Sequence, residues 1–327
     1  MLRLFFLASV ISILISCSSN AASTKCVPET FVVINERDLI PEGTAYDPET
    51  EQVFISSMYK RKIIAIRKDG SYYDFVKEAQ DSIWATLGME VDTAAHKLWV
   101  ISSKGGPGIV TRQKIENDGW ASRLYCYDLP SGTLYNIYHV TPSTEGEYCF
   151  NDLTISPQGD IYITESLSNR VFILPAGKDS IEVFLSPQGH HFLNGIALVP
   201  DQNLMFVSSA EGLISVDLSS KDYTTLPYGF TTQPASIDGL AFYNKSLIGH
   251  QSTLVTRFYL TDPLDAFIGH TTVDSLDLDS STTGEIGKDG WYYYIANSQI
   301  RSGIDYKNSV IMPMDSLEPV VIKRIKL

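Results

Sequence analysis

One short phrase recurs along this chain and constrains its fold more than any other feature. In Leu193-Asn194-Gly195-Ile196-Ala197-Leu198-Val199-Pro200-Asp201 a polar residue and a glycine open an apolar run, a turn follows, and Leu204-Met205-Phe206-Val207-Ser208-Ser209 forms a second run. The phrase returns as Pro41-Glu42-Gly43-Thr44-Ala45-Tyr46-Asp47-Pro48, Leu87-Gly88-Met89-Glu90-Val91-Asp92, Asn151-Asp152-Leu153-Thr154-Ile155-Ser156-Pro157, Asp238-Gly239-Leu240-Ala241-Phe242-Tyr243 and Thr283-Gly284-Glu285-Ile286-Gly287. The opening residues stand at 42, 87, 151, 194, 238 and 283, so the steps are 45, 64, 43, 44 and 45.

A period of roughly 40–50 residues with four strands per unit is the sequence sign of a β-propeller. The expected fold is therefore all-β, a six-bladed propeller with four-stranded antiparallel blades over residues 31–327. The long step from 87 to 151 marks an insertion, Lys104 to Ser122, rich in glycine and charge and placed at the end of the propeller where the repeats open. In the first blade the strands read Glu42 to Asp47, Gln52 to Ser57, Lys62 to Arg67 and Ser71 to Val76, with Asp69-Gly70 as the hairpin turn. The last blade takes Thr283 to Ile295, Ser309 to Met314 and Pro319 to Ile325. Phe31 to Glu36 also reads as a strand, expected beside Pro319 to Ile325, because sharing one sheet between the two chain ends removes an exposed edge. No segment has the length and 3.6-residue period of a helix.

Residues 1–16 read as an export signal, with Arg3 ahead of an apolar run from Leu4 to Ile15 that is too short to span a bilayer, where a helix needs roughly 20 residues. Leu14-Ile15-Ser16-Cys17 looks like a bacterial lipoprotein cleavage box, which makes Cys17 the lipidated first residue of the mature chain and residues 17–30 a tether. The expectation is an exported lipoprotein at the cell envelope, in the periplasm or on the outer membrane, touching a membrane only through its lipid. An ordinary secretory signal cleaved near Ala21 or Ala22 is the alternative. The formal net charge of −13 argues against a nucleic-acid partner, since phosphate binding needs a basic face. Cys26, Cys126 and Cys149 remain, an odd number; Cys126 and Cys149 could pair or stay reduced and buried.

The first strand of each blade lines a propeller's channel, so the opening residues converge on one mouth. The ring is Glu42, Leu87, Asn151, Asn194, Asp238 and Thr283, and five of these six carry side-chain oxygen. Two carboxylates close together in a partly dry site share a proton or hold a cation, and oxygen donors of this kind suit a hard divalent ion. Any one copy could merely be a turn-compatible residue starting a strand; the set points to a metal.

Pro41-Glu42-Gly43, Phe150-Asn151-Asp152, Asn194-Gly195 and Asp238-Gly239, in this order and spacing, resemble the gluconolactonase/regucalcin (senescence marker protein) family of six-bladed propellers from about residue 36 onward. The resemblance implies one divalent ion, Ca²⁺ first and Mg²⁺, Mn²⁺ or Zn²⁺ as alternatives, held by Glu42, Asn194 and Asp238. It further implies that Asn151 contacts substrate or water and that Asp238 acts as general base in the hydrolysis of a lactone or ester. The chain departs from the sugar-lactone members at Cys149, where they carry an arginine two residues before the third-blade asparagine. Replacement substrate contacts are expected from loops at the same mouth: Lys104, Gln251 and His191. Glu165 and Glu211 occupy equivalent loops as solvated charges. Two other readings use the same scaffold: a scaffolding propeller, and a ligand-binding propeller of the royal-jelly/yellow kind without a catalytic metal ring.

Overall fold

The computed structural model describes residues 26–106, 108–115, 119–141, 146–231 and 233–327. Residues 1–25, which include the expected signal, Cys17 and most of the tether, lie outside the described residues. Within those described the chain is all-β, its helical content limited to three-residue 3-10 turns at Gln80–Ser82, Lys288–Gly290 and Met314–Ser316. Among the described residues no helix is long and apolar enough to cross a membrane.

The strands fall into antiparallel quartets, each following the chain from the channel outward. The first is Pro41–Asp47, Gln52–Ser57, Lys62–Ile66 and Tyr72–Val76. Next come Ala85–Asp92, Lys97–Lys104, Ala121–Asp128 and Leu134–Val140, then Phe150–Ile155, Ile161–Glu165, Arg170–Leu174 and Ser180–Leu185. These two quartets are joined into one sheet by a short parallel contact of their outer strands, Ser180 opposite His139 and Ile181 opposite Val140. Ile196–Leu198, Leu204–Ser208, Leu213–Asp217 and Tyr223–Thr225 follow, and then Leu240–Phe242, Ser246–His250, Val255–Leu260 and Phe267–Asp274. The closing quartet is Gly284–Ile286, Trp291–Ile295, Val320–Lys326 and, from the other end of the chain, Glu29–Ile34. Val33 stands opposite Val321 and Ile34 opposite Val320, so both chain ends are held in one sheet, as the edge argument requires.

Ser309 to Met314 does not enter that sheet. Only Val310–Ile311 pairs, with Ile304–Asp305, in a small hairpin of its own. The cause is local turn chemistry: the Asp305 carboxylate accepts from the backbone N–H groups of Lys307 and Asn308, and the Gly303 N–H closes on the Gln299 carbonyl. With Glu29–Ile34 already in the outer position, the sheet needs no further strand.

Why most repeats open on a glycine is visible where neighbouring inner strands meet. A Cβ on Gly43 would lie 2.2 Å from the carbonyl oxygen of Leu87, the opening residue of the next repeat. The same relation, at 2.7–2.9 Å, runs from Gly88 to Asn151, from Gly195 to Asp238 and from Gly239 to Thr282. Thr282 and Thr283 then donate their hydroxyls to the Glu42 carbonyl, each at 2.8 Å, which returns the ring to its start. The inner strands also bulge at these points, between Pro41 and Thr44, Thr86 and Met89, and Phe150 and Leu153. A bulge leaves a backbone N–H without a ladder partner. Buried hydroxyls on the second strand take it: Gly43 N–H donates to Ser56 Oγ at 2.7 Å and Asp152 N–H to Thr164 Oγ1 at 3.1 Å. Apolar side chains such as Phe54, Leu98, Phe206 and Phe258 fill the space between quartets, leaving the channel to the polar openers.

Candidate functional site

Because the glycines draw the inner strands together at one end, the residues beside them share a mouth. Glu42, Leu87, Asn151, Asn194 and Asp238 all line one cavity of about 730 Å³ there; Thr283 is buried below it, hydrogen bonded to Thr44 at 3.0 Å. Cys149, Gln251, Met58, Phe192, Ile300, Arg301 and Tyr306 complete much of the wall.

The polar groups of this mouth are incompletely paired. Asn194 Nδ2 donates to Asp238 Oδ1 at 2.7 Å, while Asn194 Oδ1 and Glu42 Oε2 are buried without a hydrogen-bond partner. Gln251 Nε2 donates to the carbonyls of Gln233 and Ala235, both at 2.9 Å, and its Oε1 is likewise left over. Of seven such orphaned side-chain atoms among the described residues, three therefore sit in this one cavity. Burial pushes the Glu42 carboxyl well above its ordinary range, with Asp238 and Asp152 adding repulsion. Burial also pushes Asp238 up to about 6, against the pull of the Asn194 amide and the Arg301 guanidinium. Buried polar atoms are normally satisfied. Two strained carboxylates and two spare amide oxygens are the donor set of a hard cation, so these residues fit the ion expected from the sequence. Among the described residues no three His, Cys, Asp or Glu side chains gather as a metal cluster; the set here has two carboxylates, and its further donors are amides.

The other expected contacts divide. Asn151 and Gln251 are in the wall, Asn151 steadied by donating Nδ2 to Ser166 Oγ at 3.1 Å. Lys104 instead lines an adjoining groove with Tyr59, Arg112 and Lys114, its ammonium 5.4 Å from the Trp84 ring centroid. His191 does not line the mouth either. Its Nδ1 pairs with Glu211 Oε1 at 2.7 Å and its backbone N–H with Oε2, which fastens the loop to the neighbouring hairpin. Glu165 is no solvated loop tip: it is fully buried and accepts from the N–H groups of Cys149, Leu167 and Ser168 at 2.8–2.9 Å. Cys126 and Cys149 are both free and buried, and burial pushes each thiol up to about 12.

The insertion after Lys104 lies at this end, as expected: Gly108 and Ile109 line the mouth, and a Cβ on Gly106 would meet Cys149 Sγ at 2.7 Å. Two features are not signalled by the repeat. Ile300, Arg301 and Tyr306 reach the mouth from the Gln299–Met312 excursion, of which only the end, from Ser309, reads as a blade strand in the sequence. At the channel's other end Asp152, standing where the five other repeats have glycine, joins Glu90 and Glu285 around a cavity of about 350 Å³. These three keep some surface open to the cavity yet lie deep in the protein, and burial raises all of them, Asp152 to about 8 and Glu285 to about 7.

A family model, the SMP-30/gluconolactonase/LRE-like region, matches residues 40–244. No curated protein sequence matches the chain. Solved structures that share the fold include a gluconolactonase from Xanthomonas campestris, with TM-score 0.61 and 14% identity over 92% of this chain and 90% of that one. The calcium-binding protein regucalcin from Agrobacterium tumefaciens gives TM-score 0.59 and 13% identity over 90% and 94%. The Malassezia sympodialis allergen Mala s 1 gives 0.63 and 14% over 90% and 95%. At such identities these three likenesses speak for the fold alone.

Proposed function

This chain belongs to the SMP-30/gluconolactonase/LRE-like family, and from that premise we propose that it is a metal-dependent hydrolase of lactones or related esters, built on a six-bladed propeller. The observation that carries the reading is the unpaired set at the mouth, Glu42 Oε2 and Asn194 Oδ1 beside the Asp238 carboxylate. Glu42, Asn194 and Asp238 are the residues that would hold one divalent cation, Ca²⁺ before Mg²⁺, Mn²⁺ or Zn²⁺. When bound, the ion supplies Lewis acidity toward a carbonyl oxygen.

The chain's own groups do the rest. The Asn194 amide occupies Asp238 Oδ1, which leaves Oδ2 to take a proton from the attacking water. As the new carbon–oxygen bond forms and the ring carbon–oxygen bond breaks, Asp238 returns that proton to the departing alcohol oxygen. Asn151 and Gln251 stand in the wall as hydrogen-bonding partners for substrate or water. Met58, Leu87, Ile109 and Phe192 cover the mouth's apolar side and limit the water reaching it.

The test is metal analysis of the purified protein together with hydrolysis of aldonolactones, alkyl lactones and aryl esters, each with and without added Ca²⁺, Mg²⁺, Mn²⁺ or Zn²⁺. Metal-dependent turnover supports the proposal. Metal binding without turnover of any of them would replace it with the ligand-binding propeller. For the amino-terminal residues we retain the exported, lipid-anchored reading carried by Leu14-Ile15-Ser16-Cys17.

A further inference from the structure

The mouth lacks the arginine that sugar-lactone members carry at the position of Cys149, yet it contains a guanidinium from elsewhere. Arg301 projects from the turn Gln299–Gly303, where the Gly303 N–H donates to the Gln299 carbonyl at 2.7 Å and Ser302 Oγ donates to Asp279. That turn sits on the mouth through its neighbours Ile300 and Tyr306, whose hydroxyl donates to the Ile300 carbonyl. Arg301 is the one cation among the described residues lining the cavity. Its side chain is exposed and makes no hydrogen bond or ion pair with another described residue. It is near enough to Asp238 and Tyr306 for its charge to act on both.

Charge and shape then restrict the ligand. A divalent ion bound by Glu42 and Asp238 offsets both carboxylates, which leaves the guanidinium's charge uncompensated at the cavity wall. The same wall carries an apolar set, Met58, Ile109, Ile300 and two half-exposed aromatic rings, Phe192 and Tyr306, beside the polar Ser236, Gln251 and Ser252. The first five of these side chains give an aryl or alkyl body a surface to pack against, while the guanidinium supplies the one positive charge. Resting on the hydrolase reading above, we propose that the substrate class is a hydrophobic lactone or ester bearing an anionic group, with Arg301 as the residue that selects for the anion. Guanidinium suits this role because its fork meets a carboxylate or sulfonate through two parallel hydrogen bonds.

The experiment uses the purified full chain with Ca²⁺ bound and a matched pair of non-reacting probes, 4-ethylbenzenesulfonate and the neutral 4-ethylbenzenesulfonamide, titrated by calorimetry. A sulfonate is a poor metal ligand, so its affinity reports the guanidinium. The wild type is expected to bind the sulfonate about tenfold more tightly than Arg301→Gln does, as for one charge-assisted contact at a partly open site. The sulfonamide should bind both equally, and Arg301→Lys should recover part of the loss. In parallel, Arg301→Gln should raise KM about tenfold more for dihydrocoumarin-6-carboxylate than for dihydrocoumarin, any effect through Asp238 being common to both. Equal effects on charged and neutral partners, or none on either, would overturn the anion site even where lactones are hydrolysed. Selective loss of sulfonate binding in a protein that hydrolyses no lactone would keep the anion site and overturn the hydrolase.

Discussion

Asn194 Nδ2 donates to Asp238 Oδ1 at 2.7 Å, and the same amide's Oδ1 is buried without a partner. One side chain thus orients a carboxylate and offers a spare oxygen beside it. Removing it should weaken both functions. Asn194→Ala is expected to lower Ca²⁺ affinity by about tenfold or more, as loss of a supporting ligand typically does, with the fold intact by circular dichroism. Calorimetric titration checks this; an unchanged dissociation constant would remove Asn194 from the cation site.

The buried carboxyls predict an unusual pH dependence in the metal-free protein. Asp152 is raised to about 8, far above the ordinary value near 4. A carboxyl raised on folding keeps its proton more firmly folded than unfolded, so its contribution is complete below about pH 4 and is lost as pH rises through about 8. Glu285 and Asp238 act in the same direction, through about 7 and about 6. The buried His190 and His250, both lowered, act in the opposite direction. A difference between variant and wild type isolates one carboxyl from this sum. Asp152→Asn in the presence of chelator should therefore stabilise the protein increasingly between pH 5.5 and 8, measured by thermal melting. A stabilisation that shrinks or vanishes toward pH 8 would contradict the buried-charge account.

The close approach of neighbouring inner strands makes a third, purely structural prediction. A methyl group at Gly43 would run into the Leu87 carbonyl, whereas one at Gly269 meets nothing within 4 Å. Gly43→Ala should destabilise by about 3 kcal/mol, the upper range for overpacking, because backbone rather than a flexible side chain must give way. Gly269→Ala should stay within about 0.5 kcal/mol. Urea denaturation of the two variants measures the contrast, and equal stabilities would mean that the inner strands are not held this closely.

The repeat phrase made the propeller legible because its glycine has a steric cause that recurs at four inner strands, those of Gly43, Gly88, Gly195 and Gly239, and a cause that repeats leaves a period. The places of Glu42, Asn194 and Asp238 at the mouth were legible for the same reason, each standing just before that glycine, and Asn151 takes the matching place before Asp152. Arg301 was not, because it arrives on a single excursion with no counterpart in the other repeats, and Val310–Ile311 is apolar enough to pass for a blade strand. His191 and Lys104 were misplaced for a related reason. Loop length tells which end of the propeller a residue occupies, but the direction of its side chain follows from partners such as Glu211 and Trp84 that are distant in sequence. Asp152 was read as part of a motif, although a carboxylate in a glycine's place was itself the sign of a second acidic end to the channel.

The amino-terminal motif is tested by Cys17→Ala. The lipoprotein reading expects the variant either to accumulate as an uncleaved precursor or to appear as soluble protein after membranes are sedimented. Mass spectrometry of the wild type should find an acylated Cys17 at the mature terminus. An unmodified chain beginning after Ala21 or Ala22 would establish an ordinary secretory signal instead.

The central claim is that Asp238 does chemistry at a cation-bound mouth, and steady-state kinetics of Asp238→Asn on the preferred lactone test it most directly. The amide keeps the side chain's shape and one oxygen, so the fold should survive, while the proton acceptor is lost. The account predicts a fall in kcat of about 10²–10⁴-fold, the usual worth of a general base, with a smaller rise in KM at saturating metal. Undiminished kcat in a folded, metal-loaded Asp238→Asn variant would contradict it.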